Sequence, residues 1–263
     1  MHIVVCIKQV PDTNEVKLDP VTGTLIRQGV PSIINPDDKA GIEAALCIKE
    51  RSGAKVTILS MGPPQAEVAL REALAMGADE AILLTDRAFG GADTWATSST
   101  IAAALKKLDC DLIITGRQAI DGDTAQVGPQ IAEHLGIPQV SYVREIRLNG
   151  DTVLVQRQFE DRVHLLEVKL PCLLTVLSEL GQPRYPTVAG AFDAYRSKTV
   201  AKWGLAEIED TVDPTNIGLM GSPTKVKKSF SKTARAMGTL YDNLSADEAV
   251  AIIVDKLAQR FIL

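Results

Sequence analysis

Four short aliphatic runs recur through the first half of the chain, and they constrain the fold more than any other feature. They are IVVCIK from residue 3, KVTILSM from residue 55, EAILLTD from residue 80 and DLIITG from residue 111. None of them alternates apolar with polar residues, which is typical of parallel strands buried on both faces. Helix-like segments separate the runs. The pattern therefore predicts an α/β domain whose parallel sheet is covered by helices on both faces.

The segments between these runs carry signals for helix ends. We predict a first helix over residues 35–51, with Asn35 as the N-cap and Pro36 at the first helical position. A second helix is predicted within QAEVALREALAMGA, and a third begins within GGADTW, with Asp93 or Thr94 as its N-cap. Each predicted helix can connect two parallel strands.

From residue 139 the pattern changes to one that is typical of antiparallel strands. The segments VSYVREIRLNGDTVLVQRQF and HLLEVKLPCLLTVLS contain alternation, and Asn149-Gly150 is a favoured hairpin turn. We expect these strands to extend the sheet. An earlier segment, EVKLDPVTGTLIR, is predicted to form a small peripheral hairpin that turns at Pro20 to Gly23.

After residue 190 the aliphatic pattern fades, which predicts a domain over residues 1–190 and an extended arm with a terminal helix over residues 191–263. Ser245 and Glu248 form a capping box for that helix. Its apolar face consists of Val250, Ile253, Val254, Leu257 and Phe261. This face can fold back on its own domain or dock on another chain, and the pattern leaves both open.

The composition excludes several classes of protein. Its hydrophobic content of 46% excludes a disordered chain, and its net charge of -5 offers no footprint for nucleic acid. No apolar run approaches the roughly 20 residues that span a bilayer, so we expect no membrane insertion. The N-terminus lacks the features of a signal peptide, and the four cysteines show no C-x-x-C spacing. We therefore expect a cytoplasmic protein with reduced thiols.

The segment GRQAIDGDTAQVGP, residues 116–129, follows the fourth aliphatic run directly. Pro129 is favourable only in the first turn of a helix, so a helix should begin at residues 126–128. Four N–H groups would then be unpaired at the positive end of the helix dipole, which is a phosphate-binding arrangement. They belong to Ala125, Gln126, Val127 and Gly128.

Other residues of this segment suit the same purpose. Gly122 and Gly128 would let the backbone approach a phosphate, and Thr124 adds a side-chain donor. Asp121 and Asp123 more reasonably accept loop N–H groups, or one of them meets a ribose hydroxyl. A capped turn without any ligand is the alternative, because no known glycine-rich phosphate motif is present.

No residue stands out as a catalyst or metal ligand. His2, His134 and His164 lack the spacing of a metal site or a catalytic triad. The sequence thus favours a protein that holds a nucleotide cofactor and performs no covalent chemistry with its own side chains.

Five segments, in the same order along residues 1–190, resemble the β subunit of electron-transfer flavoprotein. They are VVCIKQVPDT, INPDDKAGIEAAL, SMGPPQAEVALREALAMGAD, DLIITGRQAIDGDTAQVGPQIAEHLG and LPCLLTVLSELGQPRYPT. The resemblance implies a Rossmann-like fold of the adenine-nucleotide-binding type. It also implies an obligate heterodimer with an α subunit that carries FAD.

The resemblance further implies a set of cofactor-binding residues. Together with Gly122 and Asp123 of the loop, the nucleotide-binding positions are Cys6, Asn35, Asp38, Met61, Thr124, Ala125, Gln126, Val127 and Gly128. The segments IDGDTAQVGP and GGADTWATS resemble the electron-bifurcating members, which bind FAD where conventional members bind AMP. The implied flavin contacts are Asp93, Thr94, Thr97 and Gln118.

For a bifurcating member the resemblance implies hydride transfer from NADH to the FAD of this subunit. One electron would then pass to the FAD of the α subunit and on to an acyl-CoA dehydrogenase, and the other to ferredoxin or flavodoxin. A loop that recognises the dehydrogenase is implied near RYPTVAGAFDAYRSK, where this chain has Val188 in place of a leucine. One alternative is a conventional carrier subunit that binds only structural AMP. Another is a stand-alone nucleotide-binding module of the stress-protein kind, which the apolar face of the last helix disfavours.

Overall fold

The structure, a computed structural model, describes residues 1–12, 31–227 and 237–263. The chain divides into two compact units, residues 1–227 and residues 228–263. The strands of the described residues are β1 (His2–Cys6), β2 (Gln9–Pro11), β3 (Ser32–Ile34), β4 (Lys55–Met61), β5 (Glu80–Leu84), β6 (Leu112–Gly116), β7 (Gln139–Asn149), β8 (Thr152–Gln158), β9 (Val163–Lys169), β10 (Cys172–Val176) and β11 (Val200–Trp203). The helices are α1 (Pro36–Ser52), α2 (Glu67–Met76), α3 (Thr94–Leu105), α4 (Val127–Leu135), α5 (Val188–Arg196), α6 (Leu205–Ile208) and α7 (Ala246–Ala258).

The main sheet of the first unit has the strand order β11-β5-β4-β1-β6-β10-β7-β8-β9. Pairing is parallel from β11 to β7 and antiparallel between β7 and β8 and between β8 and β9. Strands β2 and β3 form a separate antiparallel pair. The predicted α/β class, with a Rossmann-like parallel sheet and an antiparallel extension, is confirmed.

Both faces of the parallel sheet are buried under helices. In β1, Ile3 and Val5 pack into the cluster that contains residues of α1 and α2. Val4 and Cys6 pack on the opposite face, with residues of α3 and α4. Because each successive side chain of a strand points to the other face, a strand covered on both sides needs apolar residues at every position. This requirement explains the absence of alternation in the four aliphatic runs.

The prediction for the segment CLLTV within HLLEVKLPCLLTVLS was wrong. We expect an antiparallel strand from the sequence, but β10 runs parallel between β6 and β7. All five residues of β10 are buried, so the strand needs cover on both faces and takes a central place in the sheet. Strands β7, β8 and β9 do form the predicted antiparallel extension. The turn between β7 and β8 lies at residues 150–151, one residue beyond the predicted Asn149-Gly150 turn.

The predicted domain boundary at residue 190 falls inside the first unit. Helix α5 packs against α2, and β11 pairs with β5 at the edge of the main sheet. The aliphatic pattern fades here because the middle residues of β11, Ala201 and Lys202, are exposed. The predicted hairpin around Pro20 to Gly23 lies outside the described residues.

The second unit contains α7, whose predicted capping box is confirmed. The Ser245 side chain accepts a hydrogen bond from Glu248 N, and Glu248 Oε2 accepts one from Ser245 N at 2.9 Å. Val250 and Ile253 on its apolar face are each 58% exposed. Among the helices that the structure describes, none has the length and apolar character needed to cross a bilayer.

Candidate functional site

A cleft of about 940 Å³ lies at the carboxyl ends of the parallel strands. The chain runs from β1 through α1 to β4 on one side, whereas β6 lies on the other side of β1. Open α/β sheets bind ligands at such a reversal of strand order. One wall of the cleft, here called the loop wall, consists of residues 115–119 and 122–128. The opposite wall, the helix wall, consists of residues 84–87 and 89–94 with Thr97 and Ile101.

Fourteen of the fifteen residues predicted for a cofactor site line this cleft. They are Cys6, Asp38, Met61, Asp93, Thr94, Thr97, Gln118, Gly122, Asp123, Thr124, Ala125, Gln126, Val127 and Gly128. Cys6 is only 8% exposed, and burial raises the pKa of its thiol far above the usual range, so this thiol is not a nucleophile. The fold thus gathers the ends of four separate strands into one site.

Asn35 is the exception, because it is fully buried and does not line the cleft. It occupies the N-cap position of α1, but its side chain makes no capping bond. Instead Asn35 Nδ2 donates to Gln118 O at 2.9 Å, and Asn35 Oδ1 accepts from Ile120 N at 3.1 Å. The side chain therefore holds the loop wall against the start of α1.

Asp38 joins the two strands at the reversal point. Its carboxylate accepts hydrogen bonds from Lys8 N at 2.7 Å, after β1, and from Gly116 N at 2.9 Å, at the end of β6. A Cβ at residue 116 would collide with Asp38 Oδ1, so only glycine permits this contact. Burial raises the pKa of Asp38 to about 7, against the lowering effect of these hydrogen bonds and of the Asn35 side chain.

The two aspartates of the loop shape its conformation through side-chain partners. Lys8 Nζ donates to Asp121 Oδ1 at 2.7 Å, which ties the loop to the end of β1. Asp123 Oδ1 accepts a hydrogen bond from the Gln118 side chain. Because Lys8 is paired in this way, its charge is partly neutralised beside the cleft.

The predicted start of a helix near residues 126–128 is confirmed, since α4 begins at Val127 with Gln126 at the N-cap position. Within the described part of the chain, no hydrogen bond is donated by the backbone N–H groups of residues 125–128. Ala125 has a φ of 53°, in the left-handed region, and Gln126 is right-handed. Such an alternation turns successive N–H groups toward one point and forms an anion-binding concavity.

Gly128 has a packing reason that the sequence did not reveal. A Cβ at this position would lie 2.7 Å from both Thr115 Oγ1 and Thr175 Cγ2. Glycine therefore lets the N-terminus of α4 approach β6 and β10 closely. Gly122, by contrast, has open space around it.

The helix wall is built around the N-terminus of α3. Asp93, one of the two predicted candidates, is the N-cap, and its Oδ1 accepts from Ala96 N at 3.1 Å. Thr94 Oγ1 donates to Gln126 Oε1 at 3.1 Å and so bridges the helix wall and the loop wall. The apolar part of the wall consists of Leu84, Phe89 and Ile101, all at most 8% exposed.

A family model described as "Electron transfer flavoprotein domain" matches residues 22–208. The chain is 60% identical over 259 residues to an electron transfer flavoprotein subunit beta of Clostridium acetobutylicum, covering 98% of each chain. The chain belongs to the electron transfer flavoprotein family. It is also 54% identical to the caffeyl-CoA reductase–Etf complex subunit CarD of Acetobacterium woodii, covering 100% of both chains. A third relative, the acryloyl-CoA reductase electron transfer subunit gamma of Anaerotignum propionicum, is 47% identical, again covering 100% of both chains.

The predicted resemblance is thus confirmed, and it assigns this chain to the β subunits of electron transfer flavoproteins. A β subunit of this family pairs with an α subunit. The family also supports a flavin or AMP as the type of ligand. The cleft described above, with a volume of about 940 Å³, is large enough for either nucleotide.

Sequence reasoning missed several residues of this β subunit that line or support the cleft. Arg87 lines the helix wall and Thr115 the loop wall. Arg117 also lines the loop wall and places Nε 3.4 Å from Asp37 Oδ2. Thr224 contacts the Asp93 carboxylate from more than 100 positions away in the chain. No local signal marks such a distant contact, whereas Arg87 and Thr115 follow directly from their position at strand ends.

Proposed function

We propose that this chain is the FAD-binding β subunit of an electron-bifurcating heterodimer. An FAD held in the cleft would supply a hydride acceptor for NADH. Of the two electrons received, one would pass through the α-subunit FAD to an acyl-CoA dehydrogenase and the other to ferredoxin or flavodoxin. The observation that carries the choice of FAD is the cleft of about 940 Å³, which continues from the loop wall to the helix wall. This volume lies near the upper end of the range of roughly 300–1,000 Å³ typical of small-molecule sites.

The donor groups of the loop wall suit the pyrophosphate of FAD. The unpaired N–H groups of residues 125–128 meet at the N-terminus of α4, where the helix dipole favours negative charge. Asn35 and Lys8 hold this loop in place through the bonds to Gln118, Ile120 and Asp121. In this proposal the N–H groups of residues 125–128 bind the phosphates, and Asn35 and Lys8 act only by holding the loop.

The helix wall suits the flavin half of the cofactor. It offers hydroxyl groups at Thr94 and Thr97 next to the buried apolar surface of Leu84, Phe89 and Ile101. A flat ring system needs this combination of apolar area with a few polar contacts. AMP would fill only the loop wall and leave the helix wall without a ligand, which supports FAD.

We further propose that the acyl-CoA dehydrogenase docks on the exposed apolar surface around α5. Val188 is 91% exposed, and Tyr185, Phe192 and Tyr195 are 88%, 57% and 62% exposed. Aromatic residues on a surface favour protein contacts. This surface coincides with the segment RYPTVAGAFDAYRSK, where the resemblance implies a recognition loop.

Counting the cofactors of the purified heterodimer tests the proposal. We expect two FAD per dimer after gentle denaturation, and bleaching of flavin absorbance when NADH is added. One FAD together with one AMP would refute it and would support the conventional carrier subunit instead.

A pair of matched threonine variants tests the placement of the cofactor. We expect Thr97→Val to weaken FAD binding and to leave AMP binding unchanged, because Thr97 lies on the helix wall. We expect Thr124→Val to weaken the binding of both nucleotides, because Thr124 lies on the loop wall. Equal effects of both variants on both nucleotides would contradict this division of the cleft.

A further inference from the structure

The segment 217–224 wraps around the loop that forms the helix wall. Leu219 N donates to Gly90 O at 3.0 Å, and Asp93 N donates to Ser222 Oγ at 2.9 Å. Thr224 then donates twice to Asp93 Oδ2, from its backbone N at 2.9 Å and from Oγ1 at 2.7 Å. We call residues 217–224 the clasp.

The clasp closes on the one carboxylate that also caps α3. Asp93 Oδ1 accepts from Ala96 N, while Oδ2 is held by Thr224. Ser222 is only 5% exposed, and its hydroxyl donates in turn to Gly218 O at 2.7 Å. Both carboxylate oxygens of Asp93, its N–H group and the Ser222 hydroxyl therefore have partners, which hold the Asp93 side chain in this orientation.

The orientation of Asp93 sets the first turn of α3, because an N-cap side chain fixes where the helix begins. Thr94 and Thr97 lie in that first turn and line the cleft. Thr94 also reaches across to Gln126 on the loop wall. A displacement of Asp93 would move both threonines and break the bridge between the two walls.

We propose that Thr224 is a positioning residue for the cofactor: acting through Asp93, it holds the first turn of α3 in the geometry that binds the flavin half of FAD. This inference rests on the proposed function, since it assumes a flavin against the helix wall. It also means that the sequence stretch GSPTK, which carries no nucleotide motif, belongs functionally to the cofactor site.

The experiment uses the full-length chain in its heterodimer with the α subunit, with the α site filled by FAD. FAD and AMP are titrated separately into wild type, Thr224→Val and Thr224→Ser. Valine has the shape of threonine but lacks the hydroxyl, so it removes the bond to Asp93 Oδ2. We expect Thr224→Val to weaken FAD binding about tenfold, which corresponds to about 1.4 kcal/mol, and Thr224→Ser to restore it. AMP binding should change much less.

Thr211→Val is the matched control. Thr211 Oγ1 donates to Ala103 O at 2.9 Å, so it also holds α3, but near the end remote from the cleft. We expect both valine variants to lower the melting temperature to a similar extent and only Thr224→Val to change FAD binding and the visible circular dichroism of bound FAD. Ser222→Ala should weaken FAD binding further, because it leaves Asp93 N without its acceptor.

The outcomes separate this inference from the proposal on which it rests. Wild type that binds AMP but no FAD at the β site refutes the proposed function. The role of Thr224 is overturned if wild type binds FAD and Thr224→Val binds it equally well. The same holds if Thr224→Val binds FAD no worse than Thr211→Val does. Loss of FAD binding in Thr224→Ser as well would likewise overturn it, since the hydroxyl is retained there.

Discussion

The replacement Asn35→Ala provides a sharp test of how the loop wall is held. Asn35 is fully buried and bonds both Gln118 O and Ile120 N across the gap between α1 and the loop. Each buried backbone group that loses its partner costs about 1–3 kcal/mol. Ile120 is 49% exposed, so water replaces part of the lost bonding. We therefore expect the free energy of unfolding to fall by about 2 kcal/mol, which is the lower end of the cost for two backbone groups that lose their partners.

The measurement is urea unfolding at pH 7 combined with nucleotide titration of the heterodimer. We expect the affinity for AMP and for FAD to fall together, because the loop that we propose to hold the phosphates is no longer anchored. Asn216→Ala is the control: Asn216 Nδ2 donates to Asp213 Oδ2 at 3.2 Å in an exposed position. Surface replacements of this kind usually change stability by no more than about 0.5 kcal/mol.

Two results would refute this reasoning. The first is an Asn35→Ala protein as stable as Asn216→Ala, which would mean that the two hydrogen bonds contribute nothing. The second is a clear loss of stability with unchanged affinity for both nucleotides. That result would show that the loop binds phosphate without the help of Asn35.

Two further predictions concern glycine and the buried carboxylate. Gly122→Ala should leave the free energy of unfolding unchanged or raise it by about 0.4–1 kcal/mol. Gly128→Ala should lower the free energy of unfolding, because the new Cβ would lie 2.7 Å from Thr115 and Thr175. Equal changes of the two variants in urea unfolding would contradict this packing. Burial raises the pKa of Asp38 from 3.8 to about 7, so the folded protein binds this proton more tightly than the unfolded chain. The contribution of the protonated Asp38 to the free energy of unfolding is therefore complete below pH 3.8 and is lost as the pH rises through 7. Asp38→Asn should therefore flatten the pH dependence of unfolding between pH 4 and 7, and an unchanged slope would refute the shift.

Much of the architecture follows from local patterns. The four aliphatic runs predict β1, β4, β5 and β6 because strands buried on both faces must be apolar at every position. Pro36 and Pro129 predict helix starts because proline suits only the first turn. The parallel insertion of β10 did not follow, since strand direction depends on which neighbours pair with it and not on its own residues.

The cleft was predictable to a similar degree. Strand ends and the loop before α4 gather fourteen predicted residues because parallel strands bring their carboxyl ends to one edge of the sheet. The role of Asn35 was not predictable. Its position before Pro36 indicates an N-cap, but the chain fold places loop acceptors and donors within its reach, and these compete successfully for its side chain.

The sequence by itself therefore determined the fold class, the start of α4 near residues 126–128 and the membership of the electron transfer flavoprotein family. These depend on periodicity, helix-end chemistry and motifs, all of which are local in the chain. Only the tertiary structure decided the contacts of Asp38 with the ends of β1 and β6 and of Thr224 with Asp93. Both contacts join residues distant along the chain, and hydrogen bonds form by distance in space, which no local pattern records.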